Sequence, residues 1–502
     1  MSAEVSKTTD VPIEDAIDQT GFGLYSVLYI LMTGLAIIAF ACISYSTTFI
    51  LPTSACELST TVAQQGVIAA APVVGLMLGA PFWGYLGDTR GRRGTLMLSL
   101  LSTALINLVT SISVNWIMLL IFQFLATIAS SGQFMLAMSL LSESVPLAKR
   151  NIAVLVVTSM FLPAQGLMGM IALGIIPYSF SYYLPALGIY WNSWRTLQVV
   201  FSVPSIVMAI GFYFMTESPK FFLARGDEKK ALETLRIIHR RNLWGKKEEY
   251  KVKTLLKNSK KESETQRPSV IDQIVPLFRA PILKFTIIMI ALRLLEGVGS
   301  MQIWFPTIAN KFMQLLDTGA SMDITVCEVL NTGINTTPAP DVVPCSLNST
   351  AMLIVLASGA LQSAINVVIT LVVNKTGRRN IVLVLTAFCG VCGILVNLVP
   401  NTIASAVLYV AFLQGYLVVG LYTAISVAIF PTHLRALAIA LTQSGGRVGT
   451  IATIQILNYL RDVNCEAGFY IFGTLFTCSA IVAAFLPDDR RLIKKKLAEN
   501  NK

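Results

Sequence analysis

The sequence predicts an all-α membrane protein with twelve transmembrane helices arranged in two six-helix bundles. The chain is 54% hydrophobic and only 13% charged, whereas soluble proteins carry about 25% charged residues. It contains about twelve apolar runs of roughly the 20 residues that cross a hydrocarbon core. A short basic loop also occurs twice, a little over half the chain apart, which indicates two halves that arose by duplication.

The apolar runs give the predicted spans in chain order. We place them at 24 to 51, 65 to 87, 94 to 114, 116 to 141, 151 to 176, 195 to 215, 283 to 306, 351 to 373, 380 to 400, 404 to 430, 436 to 460 and 468 to 486. The predicted regions are a tail at 1–23, a first bundle at 24–215, a loop at 216–282, a second bundle at 283–486 and a tail at 487–502. Within the loop, Ala231, Leu232, Leu235, Ile238 and Leu243 recur at helical spacing, which predicts short amphipathic helices.

Basic residues in the short loops predict the orientation, because cytoplasmic loops are enriched in Lys and Arg. The side of the repeated loop carries Arg90, Arg92, Arg93, Lys149, Arg150, Lys375, Arg378, Arg379 and Arg435. The other side carries Lys311 and Arg461, apart from Arg195 at a helix boundary. We therefore expect the repeated loop and both termini in the cytoplasm.

The net charge of +11 does not indicate a nucleic-acid partner, because most of it lies between Glu217 and Arg279 in the predicted cytoplasmic loop. Such a segment is typical of a solvated face or of contact with anionic lipid. The sequence has no phosphate-binding loop, and its two histidines, His239 and His433, lie in cytoplasmic segments. We expect neither an ATP-driven pump nor an enzyme, and we predict no cofactor or metal.

The longest lumenal segment, at about 307–350, predicts modification. Asn335 and Asn348 each begin an N-glycosylation sequon. Cysteines predicted on this oxidising side are Cys56, Cys327, Cys345 and Cys465. Cys327 and Cys345 share the loop and could close it as a disulfide, although the sequence does not fix the pairing. Cys42, Cys389, Cys392 and Cys478 lie in spans, where we expect small apolar filler.

Four motifs resemble those of the major facilitator superfamily. The loop Gly84-Tyr85-Leu86-Gly87-Asp88-Thr89-Arg90-Gly91-Arg92-Arg93, with a partial copy at 374–379, resembles its signature loop. The segments 143–150, 216–223 and 430–435 resemble motifs that follow spans four, six and ten of sugar and organic-ion carriers. Gly21-Phe22-Gly23, Leu51-Pro52 and Trp194-Arg195 are similar to the synaptic vesicle glycoprotein 2 family and its relatives. The lumenal domain of those glycoproteins is much longer than the loop here.

The resemblance implies a carrier that works by alternating access, with two bundles rocking about a central site. It also implies a cytoplasmic gate, in which Asp88 pairs with the opposing helices and Arg92, or Glu143 with Arg150, forms further ion pairs. The residues it assigns to this gate are Gly84, Asp88, Gly91, Arg92, Glu143, Arg150, Gly377, Arg378 and Arg435. Alternatively, the arginines of the loop serve only to set topology.

Some positions depart from the family pattern. Phe40 and Ile43 stand where the vesicle glycoproteins carry acids, and Gln123 stands where proton-coupled relatives carry an arginine. Ala428 replaces the glutamate expected before the tenth-span motif. We therefore predict weak coupling to protons and a weaker gate in the second half.

Three ionisable residues remain inside the spans, and such residues are functional candidates because a charge in the bilayer is costly. They are Arg293 and Glu296 in span seven and Arg447 in span eleven. The string Gln443 to Gly449 resembles the Arg-Val-Gly element of organic-anion carriers, and a guanidinium binds a carboxylate in bidentate fashion. We predict a small organic anion, such as a monocarboxylate on an aromatic ring. Alternatively, Arg447 pairs permanently with Glu296.

Further polar and aromatic groups could line the same site. They are Gln133, Gln165, Gln362, Asn366, Tyr416, Tyr422 and Gln443. For each, interhelical hydrogen bonding is the competing interpretation. Tyr45, Trp83 and Trp304 are interpreted as interfacial or packing aromatics.

The sequence therefore predicts a monomeric carrier of a small organic solute, with the solute and the bilayer as partners. The competing hypothesis is a non-transporting vesicle glycoprotein that binds a ligand or a protein. We expect a multi-pass protein of the plasma membrane or of secretory or synaptic vesicles.

Overall fold

The computed structural model describes residues 11–55, 57–178, 180–243, 249–256, 275–280, 282–317, 325–332, 348–430 and 434–487, and these are almost entirely helical. The all-α prediction is confirmed. We call the side that carries the signature loop cytoplasmic, as its charge predicts, and the other side lumenal. The predicted region boundaries stay a prediction.

Eleven described stretches are long and apolar enough to cross a membrane. Spans 1 to 6 are Leu24–Ser54, Val62–Arg90, Arg92–Thr110, Trp116–Ser144, Leu147–Leu173 and Ser193–Tyr213. Spans 7 to 10 and span 12 are Leu283–Leu316, Ser349–Val373, Arg378–Leu395, Thr402–Ser426 and Cys465–Ala483. Span 11 is the helix Arg435–Val463. It is not among the eleven, and its interior carries Gln443, Arg447, Gln455 and Asn458, which lower its hydropathy.

The first span of each group of three is interrupted near its middle. Span 1 consists of Leu24–Ser44 and Thr47–Ser54, and span 4 of Trp116–Ser130 and Gln133–Ser144. Span 7 consists of Leu283–Leu295 and Val298–Asp317. Span 10 consists of Thr402–Leu413 and Val418–Ile429, joined by the 3-10 turn Gln414–Leu417. Interrupted helices expose backbone groups at mid-membrane, where carriers bind solutes.

Span 5 is interrupted for a different reason. Its helices Leu147–Phe161 and Ala164–Leu173 meet at Pro163, which lacks the backbone donor that would continue the first helix.

The two copies of the basic loop share one backbone turn. Gly91 has φ 100° and ψ 150°, and Gly377 has φ 83° and ψ 145°. A side chain at either position would be strained at this positive φ. The structure therefore gives a reason for the repeated glycine.

The first bundle is tied together by buried uncharged amides. Asn107 of span 3 exchanges hydrogen bonds with Gln198 of span 6, whose side chain also donates to Gln123 of span 4. Gln123 donates in turn to the Ser46 hydroxyl at 2.6 Å and to the Ile43 carbonyl at 3.3 Å. This network packs span 4 against the break in span 1, because Gln123 bonds to Ser46 and Ile43 at the break.

The cytoplasmic helix Glu228–Asn242 confirms the predicted amphipathic pattern, since Ala231, Leu232, Leu235 and Ile238 are buried. The N-terminal helix Ile13–Asp18 packs on it through Ala16 and Ile17. The Glu14 carboxylate of that short helix pairs with Arg150 of span 5 and with Lys220.

The lumenal face differs from the prediction in three ways. Span 7 is helical to Asp317, so the predicted loop 307–350 begins inside a helix. The short helix Val326–Thr332 lies in that loop. A hairpin of strands β1, Tyr182–Leu184, and β2, Ile189–Trp191, joins spans 5 and 6. The all-helical pattern gave no indication of it.

The predicted disulfide between Cys327 and Cys345 is wrong. The Sγ of Cys327 is bonded to Cys465, at a Cα–Cα distance of 5.7 Å. The bond ties the helix Val326–Thr332 to the turn between spans 11 and 12, a neighbour in space that sequence proximity does not reveal. Cys345 lies outside the described residues. Cys42, Cys389 and Cys392 are free and buried, and Cys478 is free and exposed.

Candidate functional site

The interruptions in spans 1, 7 and 10 bring polar groups of both bundles together. Tyr45 lies at the break of span 1, Glu296 at that of span 7, and Tyr416 in the turn of span 10. The phenol groups of Tyr45 and Tyr416 interact with each other. The charges of Arg447 and Glu296 act on both phenols. We call Arg447, Glu296, Arg293, Tyr45 and Tyr416 the central cluster.

Arg293 is held by two partners and is 8% exposed. Its Nη1 donates to Glu296 Oε2 at 3.2 Å, and its Nη2 donates to Gln443 Oε1 at 2.9 Å. Gln443 donates onward to the Thr423 hydroxyl at 3.0 Å. The Arg293 charge is therefore neutralised within the second bundle and joins spans 7, 10 and 11.

Glu296 bridges the break in span 7. Its Oε2 accepts from Arg293, which lies in the last turn of Leu283–Leu295. Its Oε1 accepts from the Gly299 backbone N–H at 3.2 Å, in the first turn of the following helix. A carboxylate at a helix N-terminus is favoured by the exposed N–H groups and the helix dipole. Glu296 thus has a structural role that its charge alone did not predict.

Arg447 does not pair with Glu296, so the alternative of a permanent pair is wrong for this conformation. Its Nη1 donates instead to the backbone carbonyl of Leu76 in span 2, at 2.7 Å. Among the described residues, Arg447 forms no ion pair. Within the described part of the chain, no acid pairs with Arg447, whereas Glu296 pairs with Arg293.

Aromatic rings of the first bundle adjoin the central cluster. Phe40 and Tyr45 of span 1 lie with ring centroids 6.4 Å apart, and Phe161 of span 5 lies 6.3 Å from Tyr45. Phe134 of span 4 completes the group, at 6.2 Å from Phe40 and 5.9 Å from Phe161. Tyr45 was interpreted from sequence as an interfacial or packing residue, and the structure places it in the cluster instead.

The other predicted lining residues separate into two groups. Tyr422 is buried within range of the Arg293 and Glu296 charges, and Asn366 is half-buried on span 8. Gln165 donates to the Gln302 carbonyl at 3.2 Å, and Gln302 donates to Gln362 at 3.5 Å. These amides link spans 5, 7 and 8.

Gln133 lies away from the cluster. Its side chain is fully buried between spans 3 and 4, where it donates to the Thr103 hydroxyl at 3.0 Å. Interhelical hydrogen bonding is thus its role in this structure.

Span 11 and span 2 are joined by hydrogen bonds to backbone carbonyls. Besides Arg447, Gln455 donates to the Gly66 carbonyl at 3.1 Å, and Asn458 donates to the Val62 carbonyl at 2.7 Å. We call the Gln455 and Asn458 bonds the lumenal latch, because both lie in the lumenal half of the two helices. Neither residue was predicted from the sequence. An isolated amide in a span usually forms a hydrogen bond between helices, but the sequence does not show which group accepts it.

The bundles also pack closely on the lumenal side between spans 5 and 8. A Cβ at Gly166 would lie 3.0 Å from the Leu356 Cα, and one at Gly359 would lie 3.5 Å from the Gly166 nitrogen. Like the latch, this packing joins the lumenal halves of the two bundles. The described hydrogen bonds between the bundles are donated by Gln165, Arg447, Gln455 and Asn458. The bond from Arg447 to Leu76 lies near the middle of span 2, and the other three lie closer to the lumen.

The gate residues of the first bundle lie on its cytoplasmic side. Asp88 has a 76% exposed side chain and pairs with Arg92 at 3.5 Å. Arg92 also pairs with Glu143 at 2.5 Å, and Glu143 accepts from the Ser218 hydroxyl. Arg150 pairs with Glu14 at 2.8 Å in this conformation, and the predicted Glu143–Arg150 pair of the outward-open state stays a prediction. These described contacts all lie within the first half of the chain.

The remaining gate residues have simpler surroundings. Around Gly84 there is open space, and Gly91 lies against the Glu217 carboxylate, which accepts from the backbone of Arg92 and Arg93. Arg378 donates to the Ala424 carbonyl of span 10 at 3.1 Å. The side chain of Arg435 lies outside the described part of the chain.

Of the two sequons, Asn335 lies outside the described residues. Asn348 is the N-cap of span 8, and its side-chain oxygen accepts from the Thr350 backbone at 2.8 Å. It therefore begins a membrane helix directly, and its glycosylation stays a prediction.

A largely apolar cavity lies between spans 7, 11 and 12. Its lining consists of Met301, Trp304, Thr307, Ile308, Lys311, Leu457, Asn458, Cys465 and Phe469. The cavity is on the lumenal side beside the disulfide and does not include the central cluster, so we do not assign it to the predicted solute site.

Comparison with known proteins gives a consistent answer for the fold. The profile of the family described as "Sugar (and other) transporter" matches residues 24–311. A solved structure titled as a partially occluded inward open conformation of the xylose transporter XylE from E. coli superimposes with a TM-score of 0.65. That alignment covers 92% of this chain and 99% of the other at 14% identity, which establishes the shared fold.

Curated relatives show similarity at low identity. The putative transporter svop-1 of Caenorhabditis elegans is 27% identical over 46% of this chain and 42% of its own length. Solute carrier family 22 member 6 of Mus musculus is 24% identical over 83% of this chain and 67% of its own. Synaptic vesicle 2-related protein of Xenopus laevis is 22% identical over 95% of this chain and 80% of its own.

Proposed function

Because the chain belongs to the sugar (and other) transporter family, with the major facilitator fold and several membrane spans, we propose that it carries a small organic anion by alternating access. The anion class is a monocarboxylate on an aromatic or heteroaromatic ring. We assign its carboxylate to Arg447 and its ring to the aromatic side chains around Tyr45.

The state of Arg447 is the observation that carries this proposal. Arg293 is neutralised by Glu296, whereas Arg447 donates to a backbone carbonyl and has no acidic partner among the described residues. A guanidinium with free donors offers a carboxylate two parallel charge-assisted hydrogen bonds. Because the neighbouring phenols and phenylalanines are uncharged, they favour an aromatic ring beside that carboxylate.

Alternating access is supported by the uneven distribution of contacts between the bundles. The latch and the packing of spans 5 and 8 hold the lumenal side closed, while Asp88 is exposed on the other side. We assign the present conformation to the inward-facing half of the cycle. In the outward-facing half, the latch opens and Asp88 contacts the second bundle.

Proton coupling is not part of the proposal. Gln123 occupies a neutral amide network with Gln198 and Asn107, and Phe40 lies among aromatic rings. We propose that a gradient of the anion itself, or another ion, drives transport. Names of relatives refer to a solute carrier and to a synaptic vesicle protein, and we propose the plasma membrane or a secretory vesicle as its location.

Uptake of radiolabelled aromatic and aliphatic monocarboxylates and organic cations into proteoliposomes tests the function. Arg447→Ala is expected to raise the KM for the anion about 10- to 100-fold, because hydrogen bonds to a charged group contribute about 1.5–3 kcal/mol. Arg447→Lys should recover part of the affinity but not the bidentate geometry.

Thr450→Ala is the matched control. It removes a neighbouring polar side chain of span 11 that donates to the Gly446 carbonyl of its own helix and leaves the guanidinium in place, so its KM should stay at the wild-type value. An unchanged KM in Arg447→Ala would refute the assignment of the carboxylate. If no solute shows saturable uptake, the competing hypothesis of a non-transporting membrane glycoprotein is favoured.

A further inference from the structure

The loop between spans 5 and 6 has an unusual composition. No charged residue lies between Arg150 and Arg195 in the sequence, and the part from 178 to 191 contains six aromatic residues. They are Tyr178, Phe180, Tyr182, Tyr183, Tyr190 and Trp191. A loop surrounded by water would be expected to carry about a quarter charged residues. We call residues 180–192 the aromatic hairpin.

Three tyrosines of the aromatic hairpin direct their rings away from the rest of the protein. Tyr182 is 67% exposed, Tyr183 55% and Tyr190 54%, and the Leu187 side chain at the turn is 46% exposed. Ile189 is the strand residue that is fully buried. The rings of Tyr183 and Tyr190 pair across the strands at 5.1 Å between centroids. The hairpin is thus an ordered apolar projection.

Charges at the base of the hairpin are internally paired. The Glu57 carboxylate accepts from the Asn192 amide and the Trp194 indole at 2.6 Å each, and from Arg195 at 2.7 Å. Arg195 is fully buried and also donates to the Ser111 carbonyl at 2.8 Å. These bonds fix the direction in which the hairpin leaves span 6.

The exposed rings continue the apolar surface of the neighbouring spans. Met170 near the end of span 5 is 43% exposed, and Val203 and Val207 of span 6 are 47% and 51% exposed. Because the hairpin joins the lumenal ends of these spans, it lies at the level of the lipid headgroups. Tyr and Trp are enriched at that level, where the ring contacts acyl chains and the polar tip contacts water.

We infer that the aromatic hairpin lies in the headgroup region of the lumenal leaflet and anchors spans 5 and 6 there. Lipid explains the exposed apolar rings and the missing charges together, whereas a loop in water would expose those rings at a hydrophobic cost. Because the hairpin has no charge, its depth should not depend on the charge of the lipid. One of the two anchored spans is span 5, which packs closely against span 8 of the second bundle.

Electron paramagnetic resonance on the full chain in nanodiscs tests the inference. Tyr190→p-acetylphenylalanine allows a nitroxide to be attached at the hairpin without altering native cysteines. Glu328→p-acetylphenylalanine provides a control on the same face, because Glu328 is an exposed residue of the lumenal helix Val326–Thr332. Power saturation with oxygen and with a water-soluble nickel chelate then compares lipid and water contact.

The nitroxide at position 190 should collide mainly with oxygen, and that at position 328 mainly with nickel. Exchanging phosphatidylcholine for an equal mixture with phosphatidylglycerol should leave the depth at 190 unchanged. Nickel contact at 190 equal to that at 328 would overturn the inference. Protection from both reagents would also overturn it, since the hairpin would then be covered by a protein surface.

Discussion

Replacing Gln455 and Asn458 together by alanine should shift the protein toward a conformation that is open to the lumen. Both side chains donate to carbonyls of span 2 only while the lumenal halves of spans 2 and 11 are in contact. In an open conformation they would be hydrogen-bonded to water. The substitution therefore destabilises the closed lumenal side selectively.

The magnitude follows from the two bonds lost. A hydrogen bond between uncharged groups contributes about 0.5–1.5 kcal/mol net, so two contribute about 1–3 kcal/mol. This changes the ratio of the two conformations about 5- to 150-fold. Gly66→Ala provides an independent perturbation of the same contact, because its Cβ would overlap the Asn458 amide and displace it from the Val62 carbonyl.

Distances between nitroxides on the lumenal halves of spans 2 and 11 provide the assay. Val67 and Tyr459 are exposed by 44% and 67% and can carry the labels. Double electron–electron resonance should show a longer second distance population in Gln455→Ala/Asn458→Ala and in Gly66→Ala.

Two controls separate the latch from general damage. Thr450→Ala removes a side chain of span 11 that donates to the Gly446 carbonyl of its own helix. Gly94→Ala adds a methyl group where the neighbouring space is open. Both should retain the wild-type distances. Unchanged distances in the double variant, or an equal shift in Thr450→Ala, would refute the role of the latch.

Two further predictions concern the edges of the first bundle. Glu57→Gln should lower the thermal unfolding midpoint relative to Glu328→Gln, because a buried Arg195 without its acid costs about 3 kcal/mol. Burial raises the pKa of Glu14, but the hydrogen bonds from Arg150 and Lys220 outweigh it and hold that pKa below its ordinary value. A depressed pKa means that the contact is stable above the unfolded-state pKa and is lost as the pH falls, so the helix Ile13–Asp18 should undock below about pH 4. Lower amide protection factors of that helix in acid, with no such change in Glu14→Gln, would support this; protection factors that do not depend on pH in the wild type would contradict it.

The sequence predicted the features that the bilayer itself imposes. A membrane span needs a long apolar run, and a charge such as Arg447 or Glu296 stands out within one because it is costly there. The sequence also predicted that Gly91 and Gly377 are equivalent, since the same short motif occurs at both positions, and both glycines have a positive φ.

Partners in space were the part that the sequence did not predict. Arg447, Gln455 and Asn458 bond to backbone carbonyls, which every residue has and which therefore leave no mark in the sequence. Arg150 pairs with Glu14 in this conformation because the chain folds an N-terminal helix against span 5. Such pairings depend on tertiary packing.

The place of Tyr45 in the cluster follows from a break that periodicity alone does not show. Span 1 reads as one continuous apolar run, yet its helix ends at Ser44 and a second begins at Thr47. The amide of Gln123 stabilises that break from a distant position in the chain. A polar residue in a span thus indicates a hydrogen bond to another helix, but it does not identify the partner.

The use of main-chain acceptors by span 11 has a consequence for how freely the contact can change during evolution. Only one of the two helices specifies it by side-chain identity, so substitutions along the lumenal half of span 2 leave the acceptors intact. Gly66 is the exception, since any larger residue there meets Asn458. Span 2 of the first bundle can therefore diverge in sequence while its hydrogen-bonded contact with span 11 of the second bundle is kept.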